Sequence, residues 1–311
     1  MEFKTLGRTG LRVSVIAFGA SPLGNEFGNV DPADGERAVS AAIDDGINLF
    51  DVSPYYGRTL AEQRLGAALA GKRHKVILAT KCGRYDKNCF DFSAKRVTTS
   101  IDESLSRLQT DYVDLLTAHD IEFGHRDEII HETLPAMREL QQMGKVRYVG
   151  ISGLPLKLLA DVAQRGNVDF VLSYCHYNLL ARDLDLHLTP VLSASQIGLI
   201  NASPLHMGIL TATGAPAWHP APELVKQTGA KIVDLCLSRG LSPASIALRF
   251  CLDHTYASST LVGMASLKEV KENLIALSSS TSEDLLQEID QIAAPVKHMS
   301  WPSGLLENSD V

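Results

Sequence analysis

Four side chains in this sequence could do chemistry together: Asp51, Tyr56, Lys81 and His119. Asp51 ends the apolar run Asn48-Leu49-Phe50, Lys81 ends Ile77-Leu78-Ala79-Thr80, and His119 ends Leu115-Leu116-Thr117-Ala118. Tyr56 follows Asp51 in the segment that opens the next helix. A buried lysine needs an opposite charge, which Asp51 can supply. An ammonium beside a phenol favours the phenolate, so the pKa of Tyr56 is expected to fall from about 10. A phenol tuned in this way can give a proton to a carbonyl or take one from an alcohol. His119 can hydrogen-bond the same oxygen. Such a set suits hydride chemistry on a C–OH/C=O pair, and the hydride itself needs a cofactor. Singly, an Asp at a strand end is more often a cap and a His in an apolar strand more often a core residue. The argument rests on the four falling together.

They fall together only if the elements that carry them share one end of a sheet. Short apolar runs that read as strands lie at Val15–Gly19, Asn48–Asp51, Val76–Lys81, Val113–His119, Val146–Ser152, Phe170–Tyr174, Gly198–Ser203 and Thr260–Gly263. Helical patterns alternate with them near 34–45, 61–70, 94–108, 128–143, 155–165, 185–197, 223–239 and 266–277, with Asp34 and Ser266 as N-caps. Ser242–Asp253 and Ser282–Ile292 read as two extra helices near the C-terminus. The strands show little polar–apolar alternation, which marks strands buried on both faces and so parallel. Eight β–α units in one chain predict an α/β fold of the (β/α)8 TIM-barrel type, a single domain over residues 1–311. In that fold function sits at the C-terminal ends of the strands. An open dinucleotide-binding sheet would want G-x-G-x-x-G after the first strand, but the chain reads Gly19-Ala20-Ser21-Pro22-Leu23-Gly24. Ahead of the first unit, Phe3–Leu6 and Leu11–Ser14 flank a glycine-bounded turn and read as a hairpin.

Composition narrows the remaining choices. The chain has 311 residues, 45% hydrophobic and 21% charged, with 29 Lys+Arg against 36 Asp+Glu for a net charge of −7. A mildly acidic chain without a basic block has no electrostatic footprint for nucleic acid. The five cysteines are scattered, with no C-x-x-C, which argues against a disulfide framework or zinc ribbon and fits a reducing, cytoplasmic compartment. The N-terminus carries charge at once and has no apolar signal region. Val191 to Pro222 lacks Asp, Glu, Lys and Arg, but Ser, Asn, Gly and Pro break it, so no membrane span is expected. No metal-binding spacing (H-x-H or H-E-x-x-H), G-x-S-x-G elbow, Walker A motif or pair of strand-end carboxylates is present. No apolar stripe indicates an oligomer.

Phe50-Asp51-Val52-Ser53-Pro54-Tyr55-Tyr56-Gly57, then Ala61-Glu62-Gln63-Arg64-Leu65-Gly66, resembles the signature of the aldo-keto reductases. Asp111-Tyr112-Val113-Asp114-Leu115-Leu116 before His119, Gly150-Ile151-Ser152, Tyr177-Asn178, Ser203-Pro204-Leu205 with Gly208, and Glu272-Asn273 follow in that family's order. The resemblance covers about Phe3 to Leu277. It implies a barrel whose bottom is plugged by the N-terminal hairpin and a nicotinamide dinucleotide lying across the strand tips. It implies a catalytic tetrad of Asp51, Tyr56, Lys81 and His119. Ser152 and Asn178 are expected near the nicotinamide, and Ser203, Leu205 and Gly208 under the pyrophosphate. Tyr174 stands where the family often has a glutamine, and Ala202 where it often has a stacking aromatic, so Tyr174 is expected to serve the nicotinamide instead. At the adenosine end, next to Glu272 and Asn273, relatives that prefer NADP carry Lys-Ser and, further on, Arg. Here those positions hold Gly263, Met264 and Glu269. Loss of two cations and gain of one anion predict NAD as the cofactor.

Several runs look most like those of sugar 1-dehydrogenases within the family: Leu115–Gly124, Gly150–Leu156, Ser173–Leu179 and Asn201–Thr211. The expected substrate is therefore a small sugar oxidised at C1. Sugar recognition needs polar groups that pair with hydroxyls. Tyr55, Tyr56, His119 and Asp120 are the leading candidates, and Arg84, Tyr85, Glu122 and His125 lie in the same loops. A broad NADP-dependent reductase is the rival enzyme reading. A barrel kept only to sense nucleotides would carry a damaged tetrad, and this one is intact. Cys82 follows Lys81: an ammonium close by would lower its pKa, whereas strand alternation would turn the two side chains apart.

Overall fold

The computed structural model describes residues 1–310. An N-terminal hairpin pairs β1 (Phe3–Thr5) with β2 (Arg12–Ser14). Eight parallel strands close the barrel that follows: β3 (Ile16–Gly19), β4 (Leu49–Asp51), β5 (Ile77–Cys82), β8 (Val113–Ala118), β9 (Val146–Gly153), β10 (Phe170–Tyr174), β11 (Gly198–Ala202) and β12 (Ser259–Gly263), which returns to β3. Between β5 and β8 a second small hairpin intervenes, β6 (Arg84–Asp86) with β7 (Cys89–Phe90). The barrel expected from the strand pattern is thus present. All four residues of β3 and all six of β8 are buried, as strands covered on both faces must be.

The hairpin closes the N-terminal end of the barrel. Leu6 and Val13 are buried in the barrel interior with Ala17, Leu49, Leu115, Phe170 and Ile200. Arg8 N donates to Gln196 O at 2.7 Å, just before β11 begins. The hairpin thus plugs the N-terminal end and leaves the C-terminal ends of the strands as the open end of the barrel.

Helix ends follow local chemistry. The first helix, Pro32–Asp44, is capped by Asp31, whose side chain accepts from Ala33 N, with Pro32 at the first position. Asp34 sits inside the first turn, so the cap lies three residues earlier than expected. Ser266 does cap Leu267–Ser278, accepting from Glu269 N. The helical pattern over 185–197 splits into Leu184–His187 and Thr189–Ala194, because Pro190 cannot continue the first piece. A π turn at Ile129–Thr133 precedes Pro135 for a related reason. The extra helices Pro243–Leu252 and Glu283–Ala293 are present as expected.

The C-terminal segment returns across the open end of the barrel. Trp301 meets the rings of His206 and His219 edge-on, beyond β11. Leu305 N then donates to Glu122 O at 2.8 Å, and Asn308 Nδ2 donates to Glu122 O at 3.0 Å and Gly124 O at 2.9 Å, beyond β8. No helix of the described residues is long and apolar enough to cross a membrane.

Candidate active site

Strands β4, β5 and β8 are neighbours in the barrel, and each delivers one ionisable side chain to its open end. Asp51 is the last residue of β4, Lys81 lies near the end of β5, and His119 directly follows β8. All three are buried. Lys81 Nζ makes an ion pair with Asp51 Oδ1 and donates to Val52 O at 2.9 Å. Its ammonium stands over the Tyr56 ring, 4.8 Å from the centroid. The His119 ring meets Tyr56 nearly edge-on, 5.8 Å between centroids and 81° between planes.

Tyr56 reaches this spot because two backbone segments touch. The turn Ser21–Gly24 presses on the Tyr56–Gly57 peptide, and a Cβ on Gly24 would lie 2.7 Å from Gly57 N. Gly57 has φ +58°, and a Cβ there would meet Gly24 O at 2.3 Å. Only glycine fits at both places. Arg64 fixes the turn by donating to Leu23 O at 2.7 Å and Asn25 Oδ1 at 2.9 Å.

The electrostatics correct one expectation. The phenol of Tyr56 is held well above 10, by burial first and then by the Asp51 and Asp120 carboxylates. Burial and the two carboxylates outweigh the positive charge nearby, of which Arg84 pulls the phenol back part of the way. Burial pushes the Asp51 carboxyl up and Lys81 pulls it back part of the way. His119 lies well below 6.5, through burial and the positive charges of Lys81 and Arg84. The resting site therefore holds a neutral phenol and a neutral imidazole.

One wall of the mouth is polar. Arg84 pairs with the buried Asp120 and covers the Tyr55 ring at 3.9 Å. Asp120 Oδ2 lies 3.7 Å from His119 Nε2. Glu122 is fully buried, with Ser303 Oγ donating to its Oε1 at 2.8 Å and Leu154 N at 3.2 Å. Tyr174 OH stands 3.5 Å from the same oxygen, while Oε2 has no partner among the described residues. Burial and Asp120 push the Glu122 carboxyl up to about 8. Tyr55, Asp120 and the tetrad thus share one cavity mouth. His125 instead sits outside it, exposed and facing Glu307 at 3.2 Å, and Tyr85 turns towards Gly83 N at 3.1 Å.

The residues expected to hold a cofactor mostly ring the opposite half of the mouth, on β9 to β12 and beyond. Ser152 is buried at the end of β9, its Oγ accepting from Asp120 N at 3.4 Å. Ser203, just past β11, has φ 58°, and His206, Met207 and Gly208 follow with φ 48°, 49° and 104°. Non-glycine residues hold this left-handed conformation at a cost, and such strain gathers at functional sites. No acidic side chain lies between Ser203 and Thr213 to repel a diphosphate. Leu205 anchors the turn, its carbonyl accepting from Gly208 N and Leu210 N, both at 3.1 Å. Gly263 ends β12 beside Gly19, where a Cβ would press on Pro22 at 3.0 Å. Glu269 Oε2 accepts from Ala265 N at 2.7 Å and Ser266 Oγ at 3.1 Å, which fixes its charge at the helix start. Glu272 faces Lys268 at 3.8 Å, and Asn273 is half-buried one residue on. The strained loop of small residues, free of acidic side chains, fits the phosphates of a dinucleotide.

Asn178 also has a structural task. Its Oδ1 accepts from Leu180 N at 2.9 Å and Ala181 N at 3.2 Å, and its Nδ2 faces His206 Nδ1 at 3.0 Å. The amide builds the loop after β10 and keeps one N–H of Nδ2 outside these contacts. Alternation also decides Cys82: it is fully buried in the apolar layer, away from the Lys81 ammonium, and its thiol is pushed up to about 12. Two features were missed. Ser53 contacts His119, and the serine inside the Asp51–Tyr56 segment was its only signal. Glu122 was read as a loop residue, and its burial depends on the C-terminal segment far away in sequence.

A family model described as "Aldo/keto reductase family" matches residues 15–294. The chain is 49% identical over 318 residues to L-galactose dehydrogenase of Arabidopsis thaliana, covering 99% of both chains. It is 30% identical over 251 residues to D-arabinose 1-dehydrogenase of Saccharomyces cerevisiae, covering 76% of this chain and 74% of the other. Among solved structures, an aldo-keto reductase from Bacillus halodurans in its holo form superposes with a TM-score of 0.80 at 28% identity, covering 94% and 96%.

Proposed function

The chain belongs to the aldo/keto reductase family and is an oxidoreductase, and from that premise we propose that it oxidises L-galactose at C1 to L-galactono-1,4-lactone with NAD. On this reading it is an L-galactose 1-dehydrogenase of the cytoplasm on a route to ascorbate. The observation that carries the chemistry is the convergence of Asp51, Tyr56, Lys81 and His119 at one end of the barrel. What supports the sugar is the identity to the Arabidopsis enzyme over almost the whole chain.

The steps follow from the side chains. Tyr56, ionised by loss of its phenol proton to solvent, accepts the proton of the C1 hydroxyl. His119, neutral, donates a hydrogen bond to the same oxygen and holds it against the phenol. The bound dinucleotide supplies the acceptor for the hydride that leaves C1. Asp51 keeps the Lys81 ammonium in place under the Tyr56 ring. Ser152 and Tyr174 are the side chains we assign to the nicotinamide end. Ser203, Leu205 and Gly208 are assigned to the pyrophosphate, and Gly263, Glu269, Glu272 and Asn273 to the adenosine. Asp120, Tyr55 and Arg84 offer the polar groups a sugar hydroxyl would pair with.

NAD rather than NADP is argued from Glu269, which we assign to the adenosine end and whose carboxylate two hydrogen bonds hold at the start of its helix. It repels a 2′-phosphate and can accept from a free hydroxyl. The deciding experiment is a sugar panel with each dinucleotide, following the absorbance of the reduced cofactor. We expect L-galactose with NAD to give the highest kcat/KM, and Glu269→Gln to raise NADP use by about tenfold, the order of one partly screened charge. A preference for L-fucose or D-arabinose would make this a different sugar 1-dehydrogenase. A preference for NADP would overturn the cofactor argument.

A further inference from the structure

Ser53 lies between Asp51 and Tyr56, and its hydroxyl is buried against His119. The Ser53 Oγ to His119 Nδ1 distance is 3.1 Å, and both residues are buried. The backbone N–H of Tyr55 donates to the same Oγ, also at 3.1 Å. A serine hydroxyl has one hydrogen to give and two lone pairs to receive. With Tyr55 N–H on one lone pair, the arrangement that satisfies every group sends the Ser53 hydrogen to His119 Nδ1. The opposite arrangement, with Nδ1–H donating to Oγ, would make Ser53 accept twice. Its own hydrogen would then be buried without an acceptor, which is costly.

A second observation points the same way. The other ring nitrogen, Nε2, lies 3.7 Å from Asp120 Oδ2. A protonated Nε2 is attracted to that carboxylate, and a bare lone pair there would be repelled. Protonation at both nitrogens is opposed by burial and by Lys81 and Arg84, which drive the ring to its neutral form. We infer that Ser53 is the positioning residue that fixes His119 as the Nε2–H tautomer, with its donor aimed into the barrel mouth. The inference rests on the reading of His119 as the group that hydrogen-bonds the substrate oxygen. It adds what selects the nitrogen that donates. Ser53 also ties that choice to the Tyr56 segment, because the same oxygen holds Tyr55 N–H. The donor and the proton-transferring phenol are thereby set from one three-residue stretch, Ser53–Tyr55.

The test compares wild type, Ser53→Ala and Ser53→Thr, each labelled with ¹⁵N-histidine. Two-bond proton–nitrogen correlation assigns the tautomer of His119 and needs no substrate. His119→Gln identifies the resonance. In wild type, Nε2 should show the protonated shift and Nδ1 the unprotonated one. Ser53→Ala should move both towards a tautomer mixture and lower kcat by about tenfold, the rate equivalent of one hydrogen bond, with KM for the dinucleotide unchanged. Ser53→Thr keeps the hydroxyl and should restore both readouts. Wild type protonated at Nδ1 overturns the inference. So does a Ser53→Ala protein that keeps the wild-type tautomer, or one that changes tautomer at undiminished kcat. If no sugar is oxidised at all, the proposed function fails while the spectrum still decides the tautomer.

Discussion

Replacing Lys81 by Met isolates what the buried ion pair is worth. The Lys81 and Asp51 side chains are only 1% and 5% exposed, so the substitution leaves a carboxylate with no partner and no water. Breaking a buried pair from one side costs about 3–5 kcal/mol. An independent limit comes from protonation, because a stranded Asp51 can escape its charge by binding a proton. At about 1.4 kcal/mol per pH unit, holding that proton at pH 7 against an ordinary value of 3.8 costs roughly 4 kcal/mol. The two figures agree. An unfolding entropy of about 2.1 cal/mol/K per residue over this chain then gives a fall in Tm of roughly 5–8 °C. The protonation route also fixes the pH dependence. In the variant the folded carboxyl is neutral while the unfolded one ionises above 3.8, so stability falls as pH rises through that value. At pH 5 the limit is only about 1.6 kcal/mol. Thermal and urea unfolding of Lys81→Met at pH 5, 6 and 7 should therefore show a penalty that grows with pH. Lys81→Met combined with Asp51→Asn removes both charges and should recover most of the loss at pH 7. A penalty equal at pH 5 and pH 7, or a double variant as unstable as the single one, would refute the reasoning.

Two further outcomes follow from the site. Sugar oxidation needs the Tyr56 phenolate and a neutral His119. Since the phenol lies well above 10 and the imidazole well below 6.5, the rate should climb with pH across the neutral range and beyond. It should show no separate limb near 6.5. Tyr56→Phe should cost about 10²–10⁴ in kcat while cofactor binding, read by fluorescence titration, is kept. For Glu122, the folded carboxyl holds its proton up to about 8 while the unfolded one ionises from 4.5. The stability this confers is complete below 4.5 and is lost as pH rises through 8. Urea unfolding of Glu122→Gln should therefore lose this part of the wild-type pH slope and show a gain over wild type at pH 8.

The barrel and three of its four central residues were legible in the sequence for one reason. Strands buried on both faces leave a plain apolar run, and an ionisable residue that ends such a run stands out from it. Asp51, Lys81 and His119 each do so. What was not legible depended on contacts between distant segments. Glu122 looks like a solvated loop acid until Ser303, Leu305 and Asn308 fold over it. Asn178 sits in a family motif, but its contacts to Leu180, Ala181 and His206, which shape the loop, had no signal in that motif. Pro190 and Pro135 were in plain view, yet the period of the apolar residues ran through them. The cap of the first helix was misplaced because Asp31 and Asp34 are equally good caps by type, and Pro32 decides between them.

The error over Tyr56 has a more general cause. A lysine next to a tyrosine suggests a lowered pKa only if burial and nearby carboxylates do not outweigh it. Here the residue that keeps Lys81 inside the protein, Asp51, is itself a negative charge beside the phenol, and burial outweighs both. The neutral phenol is a proton donor in the resting site, which suits carbonyl reduction as it stands. Oxidation needs a positive charge brought to the mouth, or a rise in pH, before Tyr56 can act as a base. An oxidised nicotinamide carries such a charge. The direction of catalysis would then be set by which cofactor the adenosine end admits, with the tetrad serving either direction. On the proposed reading, this assigns direction to Glu269, on the helix after β12 rather than at the ends of β4, β5 and β8. Exchanging its charge should therefore shift the balance of oxidation and reduction in a mixture of both dinucleotides more than any change within the tetrad that preserves its geometry.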